Sequence, residues 1–281
     1  MGDRDVYVVG GHGYVGSRTV AYAKENGNEA VVVSRGGDTR NGVPSLAWDD
    51  FLNDLRHGVG GSISVVWILD GAKHGELEHL DALLKVVDES TYIVGVSSCT
   101  VYGDRHGGMC DELTPLSLVT SNAKLKAACE EALGAAPVAR GVLRLGALYG
   151  IDDRGVRTDR IERWVAEAAR AGTVTVPEPS HWRGWLHRDQ AARALFRAAR
   201  DRVDGTFNVT SSNYRFGDAA SFAAIPFGAT VKGNGKEDPM DYRIDSSLAV
   251  EQHLLDQRDG EDLPSAVASF AANYREGRRI R

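Results

Sequence analysis

Apolar runs alternate with amphipathic segments along the first 150 residues of the chain. The runs are short and rich in β-branched residues, as strands are, and they lie at 5–9, 29–33, 65–69, 92–97 and 139–145. Helical periodicity is clearest at 17–26, 79–88 and 121–133. Strands that are apolar along their whole length are buried on both faces, because crossover helices cover a parallel sheet. The pattern therefore predicts an α/β fold with a Rossmann-type doubly wound parallel sheet.

The regular alternation ends after Gly150. Further helical patterns and one short strand follow at 159–170, 190–200, 206–209 and 265–275. We predict a Rossmann domain over 1–150, with returning elements at about 186–210, and a smaller C-terminal lobe over 151–185 and 211–281.

The composition is that of a globular protein, since 42% of the 281 residues are apolar and 26% are charged. Lys and Arg number 33 against 39 Asp and Glu, which gives a net charge of −6. This balance argues against binding to a nucleic acid polymer or an anionic membrane, because both require a basic surface. The chain contains no run of about 18 apolar residues, so no membrane span is predicted.

Three cysteines, Cys99, Cys110 and Cys129, have no CxxC spacing and cannot all pair. This is typical of a reduced intracellular protein. The first predicted strand begins within six residues of Met1, which leaves no room for a signal peptide. We therefore expect a cytoplasmic protein. The eight histidines show neither HxH nor HExxH spacing, and no metal site is predicted.

A glycine-rich turn lies between the first predicted strand and the first helix. In such a turn the first glycine allows a tight bend, the second lets the backbone approach a pyrophosphate, and the third packs the helix against the strand. The free N–H groups of the helix N-terminus favour anionic oxygens. The sequence predicts that Gly10, Gly13, Tyr14, Val15 and Gly16 bind a dinucleotide.

The end of the second predicted strand carries Ser34 and Arg35 where an NAD-binding fold places an acidic residue. A carboxylate there would repel a 2′-phosphate, whereas a guanidinium can hold one by charge-assisted hydrogen bonds. We therefore predict NADP(H) as the cofactor. Asp49, after the third strand, is a candidate contact for the adenine.

Three further segments resemble motifs of the extended short-chain dehydrogenase/reductases, the NAD-dependent epimerase/dehydratase family. Residues 97–103 (SSCTVYG) are similar to that family's SS-x-x-VYG, and residues 183–189 (RGWLHRD) to its R-x-[FY]-[IV]-H-x-x-D. Residues 205–209 (GTFNV) are similar to its G-x-[FY]-N-V strand. With the glycine turn, the resemblance extends from about residue 6 to residue 210.

The resemblance implies a catalytic Ser or Thr, a Tyr, and a Lys four residues after the Tyr, on the same helix face. By position, Ser98 is the first member and Lys124 the third, but Thr120 occupies the position of the Tyr. Lys124 would also hold the nicotinamide ribose. The departure matters because an aliphatic hydroxyl is much less acidic than a phenol.

Three interpretations of Thr120 remain open. Thr120 positions a water or relays a proton from solvent; or Tyr102, Cys99 or Thr100 supplies the proton; or the redox chemistry is lost and a binding protein remains.

Other positions follow from the resemblance. Leu69, Asp70 and Gly71 occupy the family's segment of cofactor contacts, and Arg183 falls on its diphosphate-binding arginine. Ser98 and Thr100 are expected to contact the substrate. Where the sugar-nucleotide dehydratases of the family carry an Asp-Glu pair, this chain has Cys99 and Thr100. Dehydration is therefore disfavoured.

Together these features favour NADPH-dependent reduction of a keto group on a nucleotide-linked deoxysugar, as a 4-ketoreductase of a secondary-metabolite sugar pathway. The alternatives are a nucleotide-sugar epimerase that retains its cofactor and a catalytically silent NADP(H)-binding sensor or regulatory protein. The resemblance also implies a possible homodimer through the helices at 79–88 and 121–133.

Overall fold

The computed structural model describes residues 6–58, 62–69, 75–151, 160–256 and 262–276. The strands in chain order are β1 Val6–Val9, β2 Ala30–Ser34, β3 Ser45–Ala47, β4 Ser64–Trp67, β5 Tyr92–Ser98, β6 Asp104–Cys110, β7 Ala139–Leu145, β8 Ala147–Tyr149, β9 Thr173–Val176, β10 Trp182–His187, β11 Gly205–Val209, β12 Ser212–Arg215, β13 Thr230–Gly233 and β14 Asp241–Ile244. The α-helices are α1 Gly16–Glu25, α2 Trp48–Arg56, α3 Glu76–Leu84, α4 Ser121–Ala135, α5 Arg160–Ala171, α6 Arg188–Asp201, α7 Phe216–Ala224, α8 Ser247–Glu251 and α9 Leu263–Arg275. Two 3₁₀ helices lie at Cys99–Tyr102 and Ile225–Phe227.

Seven parallel strands form the central sheet in the order β11-β7-β5-β4-β1-β2-β3. The order reverses at β1, where the chain first moves outward to β2 and β3 and then returns to β4 on the other side. This confirms the predicted doubly wound parallel sheet. In such a sheet, ligands bind outside the carboxyl ends of the strands where the order reverses.

The central strands are buried on both faces, as their continuous apolar sequences predict. In β1, Val6 and Val8 pack towards the core that α6 covers, whereas Tyr7 and Val9 pack towards the core that includes Phe51 of α2. The alternation follows from the period of two in a β-strand. Each face of the sheet therefore has its own apolar layer, and α1 with α6 covers one while α3 with α4 covers the other.

A smaller group of elements, mostly from the C-terminal half but including β6 and β8, has its own core. A three-stranded sheet in the order β12-β10-β8 lies beside two strand pairs, β13 with β9 and β14 with β6. Trp164, Trp185 and Phe216 meet at the centre, with ring centroids 6.0 to 6.2 Å apart. Helices α5, α7 and α9 enclose these rings.

The bounds differ from the predicted ones mainly at element ends. The strand predicted at 65–69 ends at Trp67, and the helix predicted at 79–88 runs from Glu76 to Leu84. Strand β6 was not predicted, because its sequence DRHGGMC contains no apolar run. Its pairing with β14 brings together segments more than a hundred residues apart in the chain.

The thiols of Cys99, Cys110 and Cys129 are all free and buried. Among the residues that the structure describes, no helix is long and apolar enough to cross a membrane. The same part of the chain holds no group of three or more His, Cys, Asp or Glu residues arranged for a metal ion.

Candidate functional site

The glycine turn joins β1 to α1 at the point where the strand order reverses. Gly10 has a φ of +81°, and a Cβ there would lie 1.9 Å from the carbonyl oxygen of Ile68. A Cβ on Gly16 would lie 2.3 Å from the carbonyl oxygen of Gly10. Side chains are therefore excluded at both positions by backbone atoms. Val15 precedes α1 and provides no side-chain cap, and a helix N-terminus without such a cap favours an anionic ligand.

A cavity of about 590 Å³ opens beside this turn. Its wall consists of Val9, Gly10, His12, Gly13, Val33, Ser34, Arg35, Gly36, Asp38, Arg40, Trp48, Ile68, Leu69 and His79. Five residues that the sequence assigns to the cofactor, Gly10, Gly13, Ser34, Arg35 and Leu69, are among them. The cavity has the size of a small-molecule site, and it lies at the carboxyl ends of the strands.

Of the other predicted cofactor residues, those within the described ranges do not line the cavity. Tyr14 and Val15 are each 6% exposed and pack in the core beneath the turn. Asp49 is exposed in the first turn of α2, and its neighbour Trp48 lines the cavity instead. Asp70 and Gly71 lie outside the described residues.

Arg35 lies at the open rim of the cavity. Its side chain is exposed, and no residue in the described part of the chain forms a hydrogen bond or an ion pair with its guanidinium. The neighbouring Arg40, by contrast, is paired with Asp38 at 3.3 Å. Ser34 Oγ lies 2.7 Å from Ser45 Oγ, and Ser45 Oγ donates to the Asp38 carbonyl at 2.6 Å. Arg35 is therefore the cation that this rim offers to a ligand.

Ser98 ends β5 and belongs to a short chain of hydrogen bonds. Asn122 Nδ2 donates to Thr100 Oγ1 at 3.2 Å, and Thr100 Oγ1 donates to Ser98 Oγ at 3.0 Å. The backbone N–H of Thr100 also donates to Ser98 Oγ, at 3.3 Å. Because Ser98 Oγ accepts twice, its own hydrogen is left to donate to a further oxygen.

Thr120 and Lys124 lie in the predicted segment, and the backbone N–H of Lys124 donates to the carbonyl oxygen of Thr120 at 3.0 Å. Thr120 is extended, immediately before α4, and its Oγ1 caps the helix by accepting from the N–H of Ala123 at 3.1 Å. Lys124 is exposed, and its ammonium group has no hydrogen-bond or ion-pair partner in the described ranges.

A second lysine, Lys126, occupies the buried face of the same helix. It is 6% exposed, and its Nζ lies 2.7 and 2.8 Å from the two carboxylate oxygens of Glu76 and 3.3 Å from the carbonyl oxygen of Leu69. Leu69 lines the cavity, so Lys126 reaches the cavity wall from behind. These three contacts account for the three hydrogens of the ammonium group.

Sequence reasoning missed Asn122, Lys126 and Glu76. One signal was present, because Lys126 falls on the stripe of α4 that also contains Ala123, Cys129 and Leu133, the positions at which the helix meets the core. A lysine on a buried stripe indicates a specific partner. No signal in the sequence identifies Glu76 as that partner, because the two residues are 50 positions apart.

Tyr102 and Cys99, two residues considered as proton donors, are held in the core. The Tyr102 hydroxyl donates to Asn208 Oδ1 at 2.7 Å and accepts from Arg144 Nη1 at 2.9 Å. Cys99 Sγ donates to the carbonyl oxygen of Arg144 at 3.1 Å. Burial raises the pKa of both groups well above its ordinary value. Both side chains therefore serve the packing around Arg144.

Arg183 is 4% exposed and is also fully engaged. Its guanidinium donates to Asp238 Oδ1 at 2.5 Å, to the carbonyl oxygen of Trp182 at 2.7 Å and to that of Met240. It lies between the rings of Phe216 and Tyr242, 4.8 and 5.1 Å from their centroids. A diphosphate could bind to Arg183 only in competition with the Asp238 carboxylate.

No protein-family model matches the sequence, and no curated protein matches it. Solved structures do share the fold. A UDP-N-acetylglucosamine 4-epimerase from Bacillus cereus is 21% identical, with a TM-score of 0.75 over 97% of this chain and 96% of its own. An NAD-dependent NDP-hexosamine 5,6-dehydratase involved in tunicamycin biosynthesis is 17% identical, with a TM-score of 0.78 over 97% of this chain and 98% of its own.

A third solved structure is a dTDP-glucose 4,6-dehydratase from Bacillus anthracis in complex with NAD. It is 15% identical, with a TM-score of 0.78 over 99% of this chain and 98% of its own. At these identities the similarity shows a common fold along almost the whole chain.

Proposed function

We propose that the protein binds NADP(H) and reduces a keto group on a nucleotide-linked deoxysugar. One cavity carries the proposal, because the glycine turn and the guanidinium of Arg35 face the same space of about 590 Å³. A pyrophosphate fits the helix N-terminus, and the backbone contacts of Gly10 and Gly16 leave no room for side chains there. The nucleotide-sugar enzymes that share the fold support the substrate class.

The choice of NADP(H) over NAD(H) depends on Arg35. A 2′-phosphate on the adenosine ribose would meet a guanidinium that has no partner among the described residues, and bidentate hydrogen bonds suit that geometry. Asp38, the carboxylate in the same wall, is balanced by Arg40. This rim therefore favours the cofactor that carries the additional phosphate.

The reacting centre of the proposal is the carboxyl end of β5. When bound, NADPH supplies a hydride to the carbonyl carbon of the substrate. Ser98 donates its free hydrogen to the carbonyl oxygen, while Thr100 and Asn122 fix the orientation of the Ser98 hydroxyl. As the carbonyl oxygen gains negative charge, it takes the proton of the Ser98 hydroxyl. Thr100 passes its own hydroxyl proton to Ser98, and a water molecule then returns a proton to Thr100. Thr120 accepts from the helix backbone and keeps its hydroxyl hydrogen to hold such a water.

NADPH oxidation in the presence of a panel of 4-keto nucleotide sugars tests the reaction. We expect turnover with at least one member, and a large loss of rate in the Ser98→Ala variant because the carbonyl oxygen loses its donor. Arg35→Glu should weaken NADPH binding by at least tenfold, since it places a carboxylate beside the 2′-phosphate, and should leave NADH binding nearly unchanged. Tight NADPH binding without turnover of any sugar would refute the reductase.

A catalytically silent NADP(H)-binding protein is the second candidate, and Lys126 favours it. All three ammonium hydrogens of Lys126 are used by Glu76 and Leu69, and neither Thr120 nor Asn122 offers a phenol. This candidate predicts binding of NADP(H) with no turnover.

The same assay distinguishes an epimerase that retains its cofactor from a reductase. It would form product without net NADPH consumption, and a substrate epimerised next to a ketone would take up deuterium from the solvent. A Thr120→Ala variant that retains the wild-type rate would show that Thr120 does not supply the proton.

A further inference from the structure

We propose that His79 recognises the adenine base of the dinucleotide by accepting a hydrogen bond from its exocyclic amino group. This recognition rests on the proposed function, since the base belongs to the dinucleotide assigned to the cavity. His79 lies in the first turns of α3 and lines the cavity wall with Trp48, Ile68 and Leu69.

The position of the base follows from the two phosphate-binding features. The glycine turn faces the pyrophosphate, and Arg35 marks the 2′-position of the adenosine ribose. Because the base is attached to that same ribose, it must extend to the remaining wall of the cavity. Apart from the glycine turn and the residues at 33–40 around Arg35, the wall in the described ranges consists of Val9, Trp48, Ile68, Leu69 and His79, which provide the apolar and aromatic surface that a base requires.

Trp48 is held in place by rings on three sides. Its centroid lies 5.3 Å from that of His79, 5.9 Å from that of Trp67 and 6.0 Å from that of Phe51, with tilted or edge-on geometry. Such arrangements are favourable for aromatic side chains. The wall is therefore built before a ligand arrives, and the His79 ring has a fixed neighbour.

The hydrogen-bonding role of His79 follows from its contact with the helix backbone. Its Nδ1 lies 2.8 Å from the carbonyl oxygen of Gly75. A carbonyl oxygen only accepts, so Nδ1 carries the hydrogen, and in the neutral ring Nε2 is then an acceptor. The exocyclic amino group of adenine is a donor and matches Nε2.

The carboxylates near this wall are less suitable acceptors. Asp49, the predicted adenine contact, is exposed on α2 and does not line the cavity. Asp38 lines it but is paired with Arg40. Among the described residues, His79 therefore provides a side-chain acceptor on the base side of the cavity.

Calorimetric titration with NADPH and with its deamino analogue, in which hypoxanthine replaces adenine, tests the assignment. Hypoxanthine presents a carbonyl oxygen where adenine presents the amino group, and two acceptors would face each other. We expect the wild-type protein to bind the analogue roughly 5- to 20-fold more weakly, the effect of one lost hydrogen bond with an acceptor left unpaired.

Two substitutions and a matched control complete the experiment. His79→Phe keeps a ring but removes the acceptor. It should weaken NADPH binding, leave binding of the deamino analogue unchanged, and so abolish the preference for NADPH. His79→Gln, whose amide oxygen can accept, should restore part of that preference. His57→Phe is the control, because His57 Nδ1 makes the same 2.8 Å contact with a carbonyl oxygen four residues earlier, yet does not line the cavity.

Each result decides a different point. Equal affinity of the wild type for NADPH and the analogue, or an unchanged preference in His79→Phe, would overturn the role of His79 and leave the proposed function standing. Failure of NADPH itself to bind would overturn the proposed function, and the role of His79 with it.

Discussion

Lys124 and Lys126 lie two residues apart in one helix, but one is exposed to solvent and the other is buried. Lys124 is exposed, whereas Lys126 is 6% exposed and paired with the buried carboxylate of Glu76 at 2.7 Å. Burying a charge is costly unless an opposite charge and hydrogen bonds compensate it. The family resemblance implies Lys124, four residues after the position of the Tyr and in register with Ser98. Counting could not locate Glu76, because that contact exists only after α3 packs against α4.

The difference between the two lysines can be measured as stability. Lys126→Met removes the cation that balances Glu76 and should lower the free energy of unfolding by roughly 3–5 kcal/mol. Lys124→Met should change it by about 0.5 kcal/mol or less, as exposed substitutions do. Chemical denaturation of both variants measures the effect. Adding Glu76→Leu to Lys126→Met should recover part of the lost stability. Equal stability of Lys124→Met and Lys126→Met would contradict a stabilising buried ion pair.

At the scale of elements, the predictable part is the central sheet. Its strands are continuous apolar runs, and the helix predicted at 121–133 is found as α4, over Ser121–Ala135. The contacts of the side chains on that helix were not predictable from spacing. Thr120 caps the helix with its hydroxyl, whereas Asn122 contacts the Ser98 hydrogen-bond chain and Lys126 contacts the cavity wall, four residues apart on one face.

A tyrosine introduced on this helix tests the register. Asn122→Tyr would place a phenol four residues before Lys126, beside the Ser98 hydrogen-bond chain. General acid catalysis typically contributes about 10²–10⁴-fold, so we expect reductase turnover to rise roughly tenfold or more. Thr120→Tyr is the matched control and should give no gain, because residue 120 precedes the helix and is four residues from the exposed Lys124. A larger gain at position 120 than at position 122 would contradict this register.

At the scale of the whole molecule, the glycine turn is tied to the segment that enters the C-terminal elements. Arg188, 6% exposed, donates to the carbonyl oxygens of Tyr14 and Ile151, each at 2.6 Å, and to Ser17 Oγ at 3.1 Å. The Tyr14 hydroxyl donates to the carbonyl oxygen of Gly150 at 2.6 Å. The sequence marked Tyr14 and Arg188 as parts of two motifs. It could not show that these two residues bond to each other, because they are 174 residues apart.

Replacing Arg188 should therefore affect both stability and cofactor affinity. Arg188→Met removes the hydrogen bonds that the guanidinium donates to the carbonyl oxygens of Tyr14 and Ile151, and should lower the free energy of unfolding by roughly 2–4 kcal/mol. NADPH affinity should fall as well, because the turn loses the support beneath Tyr14. The control is Arg200→Met, in which an exposed ion pair with Asp201 is lost, at a cost of about 1 kcal/mol or less. Melting curves and calorimetric titration measure the two effects, and unchanged NADPH affinity in Arg188→Met would contradict the link.

The placement of Asn122 also has a meaning for the gene. Each asparagine codon becomes a tyrosine codon by a change of its first base alone, whereas every threonine codon requires at least two base changes. A phenol beside Lys126 is therefore one nucleotide change away, and a phenol at position 120 is not. A tyrosine at position 122 should therefore arise more readily in evolution than one at position 120. In a mutagenised population selected for faster reduction, we expect substitutions at codon 122 to appear first.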